Sequence, residues 1–255
     1  MNSKRLWILI VGELSRLNKY GVFSISILVA FIWGVVLFLI SDSVLGTFLP
    51  FVLFIDATMM SVMYIGAEMH FEKTESTIST MLVTPVSNAE MVLSKVLGNT
   101  IHNLISSLLI VAAFYIAGQL DFINELGFSL ILVILGIVLS TATFTILGLV
   151  LSYYHKDFTD LLVSMFVIIF VLMIPAVLLM FGVIKGDFWE TFMLVNPMQA
   201  VLEVIQGGFY NAAGELDLDY RYFLSLGYIL VGGIVLYFFW AIPKFQDYAV
   251  RQSGV

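Results

Sequence analysis

At 255 residues, 61% hydrophobic and only 11% charged, the chain lies far from the composition of soluble domains, roughly 45–50% apolar and about 25% charged, which excludes an ordinary water-soluble globule. No continuous polar segment of even about 50 residues is left in which a soluble domain could fold, so any soluble function is expected from a partner. The formal net charge of -7 comes with no basic stripe, which excludes nucleic acid as a partner, and the absence of cysteine excludes disulfide frameworks and thiolate metal sites.

In chain order, the first element covers residues 4–20. On a helix, Leu6, Trp7, Ile10, Val11, Leu14 and Leu17 gather on one arc, with Gly12, Ser15, Arg16 and Lys19 opposite. This pattern predicts an interfacial helix with its apolar face in the headgroup boundary and its cations near anionic lipid. The alternative is the start of one long tilted first span. Gly12 and Glu13 interrupt the apolar run behind Lys4 and Arg5, and no small-residue cleavage site follows, so the segment reads as mature sequence and not as a signal peptide.

A helix needs about 20 mainly apolar residues to cross the hydrocarbon layer. Six stretches qualify: 21–40, 48–67, 97–118, 128–152, 160–184 and 222–242. Lys and Arg favour the cytoplasmic side of span ends. Lys4, Arg5, Arg16 and Lys19 precede span one; Lys73 and Lys95 lie between two and three, Lys156 between four and five, and Lys244 and Arg251 after six. Only Lys185 and Arg221 fall on the other side, so both termini are expected in the cytoplasm. Acidic residues such as Asp42, Asp121, Asp187 and Asp219 then lie outside, which makes the net negative charge largely an outer-face property. Trp7 and Trp240 fall near the inner interface and Trp189 near the outer one, while Trp33 sits mid-span and reads as packing.

Between Glu68 and Lys95 continuous apolarity gives way to amphipathicity. Ile78, Met81 and Leu82 fall at i, i+3 and i+4 on one helix face, with Ser79 and Thr80 opposite. Glu72 and Glu75 precede or open that helix, where the macrodipole favours anions. Pro85 closes it by pushing Thr84 out of helical geometry. Ser87 with Glu90 makes a capping-box signature before span three. The segment is thus expected to be a short helix across the cytoplasmic face, docked either on another protein or back on its own helix ends and lipid.

The run Glu72-Lys73-Thr74-Glu75-Ser76-Thr77-Ile78, then Met81-Leu82-Val83-Thr84-Pro85-Val86-Ser87 and Glu90 to Lys95, resembles the first cytoplasmic loop of type-2 ABC transporter permeases. The six-span plan and the amphipathic N-terminal helix are similar too. The resemblance implies that this segment is a coupling helix docking into a cleft of a separate ATPase subunit. Glu72, Glu75, Thr77, Ile78, Met81, Leu82 and Pro85 are then the expected coupling residues, with Ile78, Met81 and Leu82 as the docking face. Ser76, Ser79 and Thr74 depart from the glycine and acidic residues common in the family. No G-x-x-x-x-G-K-[ST] loop occurs, so ATP and Mg are expected in the partner ATPase and no cofactor in this chain.

Between spans five and six, the apolar pieces Phe188 to Val195 and Met198 to Ile205 are separated by Asn196-Pro197. Such lengths suit re-entrant or interfacial helices. The resemblance implies a helical pair dipping into the outer leaflet, with Asn196, Pro197 and Glu203 near a gate; the alternative is an amphipathic loop resting on the surface. Asp56, deep in span two, either lines the pathway or bonds to a neighbouring hydroxyl in packing. Pro175 marks a kink in span five. Ser140, Thr141, Thr143 and Thr145 read as helix-helix hydrogen bonds. His70, His102 and His155 read as interfacial polar residues, and neither they nor any paired groups form a metal or catalytic pattern.

The sequence therefore reads as one all-α membrane domain, 1–255: six transmembrane helices, an interfacial helix at 4–20, a coupling region at 72–88 and an outer re-entrant segment at 185–221. By resemblance it is the non-enzymatic membrane subunit of an ATP-driven exporter of amphipathic drugs, lipids or peptides. It would sit in the plasma membrane and pair through spans one and five with a second permease copy or a similar chain, with cytosolic ABC ATPase subunits bound below. The alternative is a self-contained secondary transporter or channel.

Overall fold

The computed structural model describes residues 3–40, 42–75, 77, 84–116, 128–155, 157–211, 214–216 and 218–252. Six helices are long and apolar enough to cross a membrane: Val22–Leu39, Gly46–Thr74, Asn88–Ala113, Leu130–Tyr154, Phe158–Met180 and Tyr220–Val250. Strand pairing among the described residues is limited to two isolated bridges, Phe128 with Phe209 and Tyr210 with Leu216. With every carbonyl in hydrocarbon needing an internal donor, an all-helical solution is what such a composition demands.

The first helix, α1 (Ser3–Lys19), is separate from span one, α2 (Val22–Leu39). Gly21 between them adopts φ 76°, a left-handed turn that glycine takes without steric cost. This turn resolves the alternative of a single long tilted helix. The orientation of α1 differs from the expected one. Ile10, Glu13 and Leu17 face the bundle, whereas Trp7, Ile8 and Val11 are exposed. The cause is charge: α1 turns its acidic residue inward because cations wait there.

Span two is the most enclosed of the six. It comprises α3 (Asp42–Ile55), a π-helical turn (Asp56–Met60) and α4 (Ser61–Thr74), and it therefore extends about two turns beyond the residue-67 limit expected from apolarity. Span three, α5 (Asn88–Ile116), begins well before residue 97. Its start is set by the capping box. The Ser87 amide and hydroxyl both donate to Glu90 Oε2 at 3.1 Å, and the Glu90 amide donates back to Ser87 Oγ at 3.2 Å. Span four is α6 (Leu130–Tyr154), and span five is α7 (Phe158–Met180), which continues through Pro175.

Two short helices follow, α8 (Asp187–Met193) and α9 (Pro197–Gln206). Span six begins as α10 (Tyr220–Leu236), passes through a π-helical turn (Tyr237–Ala241) and ends as α11 (Ile242–Gln252), beyond the expected end at residue 242.

The core is built around α4 against α6, α2 and α1 against α5, and α9 against both α10 and α6. At the α1 end, Tyr153, Phe245 and Tyr248 join Ile65, Met69 and Val92 in one buried cluster. At the other end, α9 is enclosed: Met198, Ala200, Val201, Leu202, Val204 and Ile205 are all fully buried. Apolar faces of α2, α7 and span six point outward, with Phe31, Val171 and, in the π-helical turn, Phe239 between 65% and 72% exposed, as surfaces facing lipid or another apolar helix do. His102 departs from its expected interfacial position. It is buried within α5, bonded to Ser26 Oγ at 2.9 Å and flanked edge-on by Phe23 and Tyr64.

Candidate coupling and pathway sites

The polar insertion has two feet, the end of α4 and the start of α5, and α1 is tied to both. At one foot, Lys19 Nζ lies 2.9 Å from both carboxylate oxygens of Glu75, and the Tyr20 hydroxyl donates to the same group at 3.1 Å. The hydrogen bond from Lys19 lowers the Glu75 carboxyl from its ordinary pKa. At the other foot, Arg5 Nη1 donates to the Pro85 carbonyl at 2.6 Å and lies 3.8 Å from Glu90. Among the expected coupling residues, Glu72, Glu75, Thr77 and Pro85 fall within the described residues, whereas Ile78, Met81 and Leu82 lie outside them.

Glu72 is not on that surface. Its carboxyl is fully buried, with Lys95 Nζ at 2.6 Å and Arg16 Nε at 3.1 Å from Oε1. The expectation of a charge offered to a partner is therefore corrected for this residue: burial commits it to internal cations. Glu13 Oε2 lies 3.3 Å and Glu68 Oε1 3.7 Å from the same Lys95, and Arg16 Nη2 lies 2.5 Å from Glu13 Oε1. Three helices thus converge on one ionic knot at the α1 end of the bundle. Burial raises the pKa of Glu13, but the positive charges of Lys95 and Arg16 outweigh that and bring it down to about 2.

Oxygens of Glu13, Glu68 and Glu72 come within 4.8 Å of one another, a spacing suited to a cation. The Lys95 ammonium supplies that charge. Arg16, expected near anionic lipid, is turned inward for the same reason.

From Lys95 a polar face continues along α5. Asn99 Nδ2 donates to the Ser61 carbonyl at 3.0 Å and to Thr145 Oγ1 at 2.6 Å, which bears out the helix-helix reading of Thr145. Asn103 Nδ2 donates back to the Asn99 carbonyl at 3.1 Å. Farther on, Ser106 and Ser107 donate to the two oxygens of Asp56 at 3.0 and 2.6 Å. Asp56 opens the π-helical turn and is fully buried, so the structure gives it the neighbouring hydroxyls that the packing reading required.

Asp56→Asn should destabilise the protein by about 1–3 kcal/mol, because an amide nitrogen cannot accept the hydroxyl it would face. Thermal unfolding of the purified variant checks this, and Ser107→Ala should cost less.

At the opposite end, Asn196 caps α9. Its Oδ1 accepts from the Met198 amide at 2.9 Å and its Nδ2 donates to the Leu172 carbonyl of α7 at 2.7 Å, with Pro197 in the first helical position, where its missing N–H is harmless. Asn196 and Pro197 therefore anchor α9 to span five. On α9, Gln199, Glu203 and Gln206 share one face, and Gln199 Nε2 donates to Glu203 Oε1 at 2.8 Å. Beside this face, a hollow of about 270 Å³ lies next to Thr47, Asn211 and Asp219, and a second of about 250 Å³ lies next to Met180, Ile184 and Lys185. Glu203, Gln206 and Arg221 line both. Glu203 thus reaches open space, while Asn196 serves as a cap.

Six apolar spans, buried polar seams between them and a separate helix lashed to one end define a multi-pass helical membrane protein. A family model described as ABC-2 family transporter protein matches residues 34–242, from within span one to the start of α11 in span six. The chain belongs to that family and is a membrane subunit of an ABC transporter. No curated protein matches it.

Proposed function

We propose that this chain is the membrane half of an ATP-driven exporter, worked from the α1 end by separate ATPase subunits. The observation that carries the reading is the lashing of α1 to both feet of the insertion, Lys19 to Glu75 and Arg5 to Pro85, with the buried knot of Glu13, Glu72 and Lys95 between them. A push on residues 76–84 then moves α4, α1 and α5 together, since none can shift alone without separating buried charges. Lys4, Arg5, Lys19, Lys73 and Lys244 at this end support its placement in the cytoplasm. ATP and Mg would be held by the partner, since this sequence contains no phosphate-binding glycine loop.

A second permease copy or a similar chain would complete the pathway. The exposed apolar faces of α2 and α7 are the surfaces for that contact, by analogy with the family's pairing through spans one and five. Substrate would move outward, toward the end that carries α8 and α9. Exposed apolar helix faces and a polar-lined terminal hollow together favour amphipathic substrates over small inorganic ions.

Met81→Glu combined with Leu82→Glu should abolish capture of the cognate ATPase while leaving membrane insertion and yield of the permease unchanged. Co-purification from detergent measures this. An undiminished complex would refute the docking face, and transport by the chain alone in liposomes driven by an ion gradient would refute the class of engine.

A further inference from the structure

We propose that span six is the lever that carries a push on the insertion to the outer helical pair, turning on α6 at Gly233, with Tyr237 and Tyr228 as positioning residues at its two grips. The inference deepens the coupling reading and rests on it for the source of the push, while the linkage between the two ends is a property of this chain.

Spans two, three and four are pinned to one another in mid-bundle, by Asp56 with Ser106 and Ser107 and by Asn99 with Thr145. They suit a frame. Span six is held differently. Its stretch Tyr220–Val250 has 31 residues, about 46 Å at 1.5 Å per residue, so it reaches past both faces of a hydrocarbon layer about 30 Å thick.

At the inner end, the Tyr237 hydroxyl donates to the Ala89 carbonyl at 3.0 Å, in the first turn of α5. Tyr237 and Val86, at the foot of the insertion, pack against the same buried cluster. At the outer end, the Tyr228 hydroxyl donates to the Val195 carbonyl at 3.0 Å, between α8 and α9, and Arg221 Nη1 lies 2.7 Å from Glu190 of α8. The Tyr222 ring lies against Gly207 at the end of α9, where a Cβ would collide with it.

Between the grips lies a close bearing on α6. Thr143 Oγ1 donates to the Ile229 carbonyl at 3.2 Å, and a Cβ on Gly233 would lie 2.6 Å from the same oxygen. Tyr237 is about 6 Å along the helix on one side of Gly233, and Arg221 about 18 Å on the other. A displacement of about 1 Å at Tyr237 thus becomes about 3 Å, in the opposite sense, at Arg221. The arm has room to tilt: a Cβ on Gly227 or Gly232 would meet nothing within 4 Å, and Leu230, Val231 and Ile234 are exposed. Beyond the inner grip comes the π-helical turn Tyr237–Ala241, a point at which a helix bends. It lets α11, whose Phe245, Tyr248 and Ala249 are buried beside Val92, keep its place while α10 swings.

The test uses the full-length permease in nanodiscs. The chain has no cysteine, so alkylation of Gln206→Cys by a water-soluble maleimide reports on the two outer hollows alone. With no ATPase present, Val86→Phe, a wedge at the inner grip, should change that rate severalfold, and Val86→Leu should change it less. Tyr237→Phe removes only a hydroxyl and should shrink the ratio of wedged to unwedged rates by up to about fivefold, the scale of one hydrogen bond. Tyr228→Phe should do the same from the other grip. A role in packing alone would instead lower the melting temperature or shift the unwedged rate and leave the ratio intact.

An outer rate that ignores both wedges, or a ratio intact in both tyrosine variants, overturns the inference. The same reporter is then read in the complex with the cognate ATPase, with and without ATP and vanadate. A reporter that answers the wedge but not the nucleotide would sink the coupling reading and leave the lever. A nucleotide response of undiminished size in both Tyr237→Phe and Tyr228→Phe would do the reverse.

Discussion

Replacing Lys95 by Met should be the most damaging single substitution in the chain. It would leave Glu13, Glu68 and Glu72, each no more than 2% exposed, facing one another with only Arg16 to balance them. Breaking a buried ion pair by removing one partner typically costs about 3–5 kcal/mol, because a charge stays behind without compensation. A fall of that size should appear as a large drop in folded yield and in the temperature of aggregation in detergent. Lys95→Met combined with Glu72→Met removes one charge of each sign and should recover much of the loss, since an apolar replacement of a buried pair is often neutral or better. A single variant as stable as the parent would show that the knot is not under electrostatic tension.

The second large effect is expected at Gly98. A Cβ built on this residue would lie 2.8 Å from Glu13 Cβ, closer than carbon atoms approach, so the glycine is the seat on which α1 rests. Gly98→Leu should lift α1 from α5 and pull Glu13 away from Lys95 and Ser94, now 3.3 and 3.4 Å from its oxygens. Overpacking of this kind costs about 1–3 kcal/mol by itself. The readout is tryptic cleavage at Arg16, which α1 packing now hinders: cleavage should accelerate in Gly98→Ala, whose Cβ alone makes the clash, and more strongly in Gly98→Leu. With α1 detached, ATP hydrolysis by the complex with its ABC ATPase should also fall under the proposed coupling, because one of the three linked helices would no longer follow the insertion.

Much of the architecture was legible in the residues because the bilayer imposes it. A run of 20 apolar residues has one low-energy answer in hydrocarbon, and all six spans lie where composition placed them, with ends shifted by several residues. The shifts between spans two and three have a common cause. Glu68, Glu72 and Lys95 look like span-ending charges in a linear reading, yet each sits inside a helix because the others neutralise it. The capping box at Ser87 was readable for the opposite reason: it needs only four consecutive residues.

The candidate sites were less legible. Glu72 was assigned to a partner because its neighbours in sequence resemble a docking loop, whereas its neighbours in space are Lys95 and Arg16. Glu13 does not stand out in the sequence, since a lone acid on an amphipathic helix is ordinary. The spacing of Lys95, Asn99, Asn103 and Ser107 at every fourth position was a signal in plain view for a continuous polar face on span three. His102 lies one residue off that face and reads as interfacial in the sequence, because its partner, Ser26, is distant along the chain.

Length, apolarity and the placement of basic residues were enough by themselves to specify a helical membrane protein with six spans, a separate amphipathic first helix and a polar insertion after span two. Those features follow from solvation and local backbone geometry, which act on each segment independently of the others. Which charges pair, which way α1 faces, and how Gln199 and Glu203 come to share a hollow with Arg221 were decided only by tertiary structure. Electrostatic compensation in a low-dielectric interior depends on distance in space, and residues 13, 72 and 95 are brought within reach of one another by packing alone.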